Sequence, residues 1–314
     1  MTQPDVACEP SLALPQGGYV RTFEAAADYL LDETVRVRGT LSDHRCTLEY
    51  DWVVQIPECK ILQASARHLS GEPVVLSPQL RDRSSDILGV CTSQGFTKTI
   101  RQTLGHLPGH QEHLALAIEM ARVSLQAYPV PKEDHKRFEA SVVALPPGPH
   151  RLARMVWERD RADWPWLRNS CHTYRDESAS LFDEHTAVGF DLDNISPEPG
   201  QKRFFWRRKC MKISTHQNPL RFQCQNDMAD SYQEMRVAFD IEPDGTLNNA
   251  TSQGVRLPFQ GLCEAPHRRT GGLNGLTLSK KFARLLADQV GGSTGCSHLF
   301  DLATDCVRFF NWRD

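Results

Sequence analysis

Residues 89 to 122 recur without gaps at residues 275 to 308, and this internal repeat is the strongest constraint on what the chain can fold into. Gly89, Ser93, Phe96, Gly105, Gly109, Leu116, Ala117 and Arg122 fall on Gly275, Ser279, Phe282, Gly291, Gly295, Leu302, Ala303 and Arg308, eight identities in thirty-four positions. An unrelated pair of that length shares roughly two at average amino-acid usage. Three of the identities are glycines, whose placement reflects a backbone need such as positive φ or close approach. Lys98 with Arg284, Ile100 with Leu286, Leu104 with Val290 and Glu119 with Asp305 are conservative pairs between them. The pattern predicts two similar modules descended by duplication.

Upstream the copies align less closely. Leu41-Ser42-Asp43 lies over Met228-Ala229-Asp230, Val53 to Ile56 lies near Ala238 to Ile241, and Ile61 and Ala64 lie over Leu247 and Ala250. The boundaries that follow are a flexible N-terminus over 1–17, repeat one over 18–130, a connecting segment over 131–202, and repeat two over 203–314. Each repeat is long enough to be a domain.

Within each repeat the apolar period changes once. Val35, Val37, Gly39 and Leu41 alternate with polar residues, and Trp52 to Ile56 and Ile61 to Ala66 follow turn or proline signals, which predicts strands. Met235 to Ile241 and Leu247 to Gln253 are their counterparts, joined by Pro243-Asp244-Gly245, a tight-turn sequence. Helical spacing follows. Phe96, Ile100 and Leu104 stop at Gly105, and Phe282, Leu286 and Val290 stop at Gly291-Gly292. A second helix starts after Gly109 or Gly295. The expected fold class is α+β: two pseudo-symmetric β-β-β-α-α repeats, each an antiparallel sheet covered by two helices.

The connecting segment opens and closes with prolines and contains Pro146-Pro147-Gly148-Pro149, an extended connector. Its later part concentrates Trp157, Trp164, Trp166, Cys171, His172 and Tyr174, with Trp164 and Trp166 suited to a substrate-pocket wall.

The formal charge of −3 gives no reason to expect a nucleic acid as partner. Lys202 to Lys209 is basic and interleaved with aromatics, which single-strand binders also show, but it reads as a strand entrance with a solvated basic face. No apolar run approaches the ~18 residues of a membrane helix. The N-terminus lacks a secretory pattern, so a cytoplasmic location with no membrane partner is expected. The ten cysteines are then mostly reduced thiols, and they contain no CxxC pair.

The richest constellation is Gly291-Gly292-Ser293-Thr294-Gly295-Cys296-Ser297-His298-Leu299, a glycine-rich turn feeding the last helix. A thiol at a helix start can have a lowered pKa, and His298 could stabilise the thiolate or take a proton. Backbone amides there could also cradle an anion. The alternative is structural: Ser297 as N-cap, Gly291 as helix stop, Cys296 as buried filler. The matching turn of repeat one carries His106, His110 and His113 where repeat two has the thiol. His110, His113, Cys296 and His298 together are a ligand set for a zinc or iron ion, with capping and surface roles as the alternative. Cys171 and His172 are further catalytic candidates, although adjacent residues seldom address one target. Asp43 and Asp230 are the acidic position common to both repeats; each either caps a turn or, as Asp230 would in the enzyme reading, lines a site.

The ending Gly275, Lys281-Phe282, Gly291-Gly292, Gly295-Cys296-Ser297-His298-Leu299 and Asp301-Leu302 resembles a bacterial domain family of unknown function with a C-terminal Gly-Cys-Thr/Ser-His-Leu signature. Repeat one resembles a diverged copy that departs at the cysteine. The resemblance implies a bacterial protein from catabolic gene neighbourhoods and no established reaction. Two functions follow: an enzyme of small-molecule (aromatic or acyl compound) catabolism using Cys296, His298, Asp230, Cys171 and His172 in a site between the repeats, or a non-catalytic accessory or binding subunit of a catabolic enzyme complex. The first needs a small-molecule ligand; the second needs a protein partner or a homo-oligomer.

Overall fold

A computed structural model describes residues 8–10, 14–32, 34–93, 95–130, 149–183, 196–215 and 220–312. Most of the flexible N-terminus expected over 1–17 and the connector at Pro146-Pro147-Gly148 lie outside these residues. In chain order the elements are β1 (Cys8–Pro10), β2 (Tyr19–Tyr29), β3 (Val35–Ser42), β4 (Cys46–Gln55), β5 (Lys60–Gly71), α1 (Pro78–Arg83), α2 (Phe96–Leu104), α3 (His110–Gln126) and α4 (Pro149–Asp163). They continue with β6 (Phe205–Thr215), β7 (Phe222–Asp230), β8 (Glu234–Ile241), β9 (Leu247–Arg256), α5 (Glu264–Arg268), α6 (Phe282–Val290), α7 (Ser297–Val307) and β10 (Phe310–Trp312). No helix among the described residues is long and apolar enough to cross a membrane.

The chain divides into two compact units. The amino-terminal unit comprises Val20–Pro131 and Asp191–Cys210; the carboxy-terminal unit comprises Met1–Tyr19, Lys132–Phe190 and Met211–Asp314. The boundary therefore runs through β6, and of the segment expected as a connector residues 149–183, including α4, belong to the carboxy-terminal unit and residues 196–202 to the amino-terminal unit. Strand order is β5-β4-β3-β2-β6 in the first unit and β6-β7-β8-β9 in the second, and β1 pairs antiparallel with β10. The chain is thus mixed helix and strand with antiparallel sheet, as expected.

The strands alternate because one sheet face is buried. Along β4, Cys46, Leu48, Tyr50, Trp52 and Val54 are buried, while the residues between them are half-buried. On β3, Val35, Val37, Gly39 and Leu41 point the same way, in register with Val54, Trp52, Tyr50 and Leu48. Helix α3 packs over β3 and β4. It comes so close that a Cβ on Gly39 would stand 2.4 Å from the Met120 sulfur, which is why that strand position has no side chain. In the carboxy-terminal unit α7 covers β7 and β8. There Cys224, Val237, Phe239 and Leu247 meet Phe282, Leu286, Leu302 and Cys306 in one apolar core.

Besides β1 and β10 of the carboxy-terminal unit, two strands add to the three expected per repeat: β2 in the amino-terminal unit, and β6, which the unit boundary divides. Of these, β2 was hidden by its composition, whereas the run leading into β6 was expected as a strand entrance. β2 contains Ala25-Ala26-Ala27 between Glu24 and Asp28, residues with weak strand preference. β6 carries Arg207 and Lys209 on its inward face, buried to 2% and 6% exposure, where a sheet pattern calls for apolar residues. The expected solvated basic face is only part of the run: Lys202, Arg203 and Arg208 are exposed, Arg208 pairing with Glu24, whereas the Lys209 ammonium donates at 2.7 Å to Glu119 of α3, which also takes Arg122. Substituting Lys209→Met leaves the buried Glu119 carboxylate with Arg122 as its remaining cation and is expected to cost about 3 kcal/mol in chemical denaturation, whereas Lys209→Met with Glu119→Leu recovers most of that loss.

Candidate functional site

The two turns that carry Asp43 and Asp230 have the same hydrogen bonds. Asp43 Oδ1 accepts from the amides of Arg45 (2.8 Å) and Cys46 (3.1 Å), and Asp230 Oδ1 accepts from those of Tyr232 (2.8 Å) and Gln233 (2.9 Å). Each aspartate amide also donates to the residue that closes the turn, Cys46 or Gln233. Asp230 is fully buried, its other oxygen accepts from the Gln233 side chain, and Arg256 caps the Ser231 carbonyl. These carboxylates close hairpins by satisfying amides that a tight turn leaves over.

The glycine-rich turn before α7 lies in the carboxy-terminal unit. Gly291 ends α6, Gly292–Thr294 form a 3₁₀ turn, and Cys296 occupies the N-cap with extended backbone. Gly295 is required by close approach: a Cβ there would meet the Val290 carbonyl oxygen at 2.2 Å. The Cys296 amide donates to Val290 O at 2.7 Å and the Gly295 amide to Gly292 O at 3.1 Å, so these amides serve the turn itself and not an anion cradle. Its carbonyls are also occupied. Arg269 donates to Thr294 O at 2.6 Å and to Asp288 O at 3.1 Å, and the His172 amide donates to Gly295 O at 2.8 Å.

That last bond joins two of the constellations the sequence singles out separately. Cys171 and His172 follow α4, and the segment is anchored through Trp157, whose indole N–H donates to Thr173 O at 2.8 Å and whose ring lies under the guanidinium groups of Arg154 (4.7 Å) and Arg161 (4.1 Å). Phe182 packs tilted against that ring, and Phe259 meets both Phe182 and Tyr174 edge-on. Trp164 is buried, whereas Trp166 stands 51% exposed. The Thr173 hydroxyl lies 3.1 Å from the Cys263 sulfur. A third thiol, which the sequence offered no motif to find, thus joins Cys171 and Cys296.

Electrostatics set the chemistry. Burial pushes the Cys296 thiol up to about 12 and the charge of Cys171 adds to it, while the Leu299 and His298 amides pull the other way. The expected helix-start effect is present but smaller than desolvation. Burial likewise raises Cys171 and Cys263, and the Thr173 and Tyr174 amides only partly oppose it for Cys171. These are protonated thiols and weak nucleophiles at neutral pH. His172 is lowered by burial and by the cations Arg175, Arg269 and Arg268, so it is a neutral imidazole there.

His110 and His113 belong to the amino-terminal unit. His110 Nδ1 lies 2.7 Å from Leu107 O. His113 is fully buried: its Nε2 lies 3.0 Å from Val75 O and its Nδ1 2.9 Å from the Tyr50 hydroxyl. A carbonyl only accepts, so Nε2 bears the hydrogen and Nδ1 accepts from Tyr50, leaving neither nitrogen for a metal. Among the described residues no group of three or more His, Cys, Asp or Glu side chains is placed to hold a metal ion. A further polar cluster was illegible in the sequence: Ser252 of β9 lies 2.6 Å from the Thr270 hydroxyl and 3.0 Å from His267 Nδ1, fastening the strand to α5 and the turn beyond.

Residues 210–309 match a protein family described as "Protein of unknown function (DUF2889)". The match takes in β7 to β9, α5 to α7 and the Cys263 and Cys296 positions. No curated protein and no solved structure matches the chain.

Burial holds His113 at about 4, against 6.5 for the free group. The unfolded chain therefore binds a proton there that the folded one refuses, and stability present above pH 6.5 is lost as pH falls towards 4. His113→Gln, which cannot titrate, is expected to shrink the fall in unfolding free energy between pH 7 and pH 5 by about 2 kcal/mol, read from urea midpoints. The fall that remains belongs to His68, His172 and His267, which burial also lowers.

Proposed function

We propose that this chain is a non-catalytic binding or accessory protein, assembled from two copies of one β-β-β-β-α-α-α module. One observation carries the reading: the residues best suited to chemistry are spent on the fold. Asp230 closes a hairpin, His113 ties α3 to β4 and to Val75, and the Cys296 thiol is held protonated by burial. Duplication is supported by contacts that recur at equivalent positions. Gly89 donates to Ile61 O and Gly275 to Leu247 O, each at 2.8 Å, with φ of 81° and 83°. The isolated bridges Lys60 with Cys91 and Thr246 with Thr277 are likewise equivalent.

The partner class is drawn from the sequence resemblance: a cytoplasmic bacterial enzyme complex acting on small aromatic or acyl compounds. An accessory subunit contributes surface and stability to such a complex, so its thiols and imidazoles need not be reactive.

A second reading, an enzyme in its own right, is favoured by the His172 to Gly295 hydrogen bond, which brings the Cys171-His172 segment to the Cys296 turn inside one unit. In it neutral His172 or His298 would move the proton and a thiol would attack. The difficulty is the thiol: raising it to about 12 leaves roughly one thiolate in 10⁵ at pH 7.

The two readings separate on a variant set. Tagged chain expressed at native level is isolated with whatever binds it, and turnover of a panel of aromatic acids and acyl thioesters is compared between wild type and Cys296→Ala with His298→Ala. The accessory reading expects a bound partner enzyme whose turnover changes less than about twofold, because only transition-state contacts change rate. A folded double variant whose turnover drops by about 10³ or more overturns it in favour of the enzyme.

A further inference from the structure

The bond from the His172 amide to the Gly295 carbonyl also sets the separation of the residues flanking it, Cys171 and Cys296. One precedes the donor and the other follows the acceptor. In an antiparallel ladder, residues so placed beside a bond form a non-hydrogen-bonded pair, whose Cα atoms stand about 4.5 Å apart. A loop held by one such bond is looser than a ladder, and a span of about 4.5–6.5 Å would lie inside the window that disulfides occupy.

We propose that Cys171 and Cys296 form a reversible disulfide that fastens the segment after α4 to the start of α7. Both are free thiols of intermediate exposure, within the same compact unit, although the sulfurs themselves sit in dense surroundings. Cys296 feels the charge of Cys171, and Cys263 feels both. The backbones on the two sides are held independently of any cross-link. Trp157 anchors Thr173 on one side, and Val290 O and Arg269 anchor the turn on the other. Bond formation therefore needs rotation about the Cα–Cβ bonds that carry the sulfurs, and no rearrangement of the chain.

The oxidant is a small disulfide of the glutathione class. One thiolate, a minor species at rest because of burial, attacks the glutathione disulfide, breaking its S–S bond and releasing one glutathione thiolate. The second protein thiolate then attacks the mixed disulfide, forming Cys171–Cys296 and releasing the other. The protein loses two electrons and two protons, and one glutathione disulfide becomes two glutathione thiols. The low thiolate population slows the exchange without setting its equilibrium. The cross-link closes a loop running from residue 171 to residue 296 and so restrains the unfolded chain, which raises the unfolding midpoint. It requires neither catalysis nor a partner, so it stands or falls separately from the accessory reading.

The test equilibrates the full-length chain in glutathione buffers of rising oxidised fraction, blocks remaining thiols with iodoacetamide, and maps the digest by mass spectrometry. The expected result is a peptide pair joined through Cys171 and Cys296, a denatured thiol count two below the ten of the reduced chain, and full reversal by dithiothreitol. Cys263→Ser keeps the linked pair; Cys171→Ser and Cys296→Ser, each shown folded by circular dichroism, lose it. A link that uses Cys263, glutathione adducts on Cys171 or Cys296 that never resolve, or free thiols at both positions throughout the titration would each overturn the proposal.

Discussion

A pair of backbone contacts after the fourth strand organises each unit. In the amino-terminal unit Gly89 donates to Ile61 O and the Ile61 amide donates to Val90 O; in the carboxy-terminal unit Gly275 donates to Leu247 O and the Leu247 amide to Leu276 O. These bonds return the chain to the start of the strand it has just left, and the glycines supply the positive φ the return requires. Everything that follows is aimed by that return. The next helices must lie over the apolar face of the same strands, and their burial of Phe96, Ile100 and Leu104, or of Phe282, Leu286 and Val290, then supplies the main driving force.

Once helices cover one sheet face, the inward positions of the strands become expensive for charge, and the chain answers with complete pairs. Lys209 and Glu119 meet where strand and helix face each other, with Arg122 beside them, and Arg45 reaches the fully buried Glu112 at 2.7 Å. Such pairs add little net stability compared with apolar contacts, but a mispaired arrangement leaves a buried ion without its partner. The same economy governs the histidines and thiols. His113 is kept neutral so that it can accept from Tyr50 and donate to Val75, and the thiols of Cys171, Cys263 and Cys296 are kept protonated in their packed surroundings.

Residues that look reactive in a one-dimensional reading are therefore judged by burial. Cys296 sits at the N-cap of a helix, where amides face its sulfur, and desolvation still dominates. Asp230 is an acid without a catalytic geometry, since its Oδ1 oxygen accepts two turn amides. Cys171 and His172 contribute through different atoms: the histidine by its backbone amide, which donates to Gly295 O, and the cysteine by its sulfur, which the Thr173 and Tyr174 amides face.

Much of the fold was legible in the residues themselves. Alternation marked β3, the later part of β4, β8 and β9, and spacing of four marked α2 and α6, because these elements bury one regular face. The Gly-to-helix turns were legible because a backbone that approaches as closely as Gly295 does Val290 admits no side chain. Tertiary structure alone decided the rest. It made β6 a strand by supplying Glu119 for an inward lysine, and it attached the segment after α4 to the carboxy-terminal unit through Trp157. It also brought Cys171, Cys263 and Cys296 together from positions far apart in the chain. The physical reason is common to all three: local pattern records which face is buried, whereas the worth of a charge, an indole N–H or a thiol depends on the partner that folding places against it.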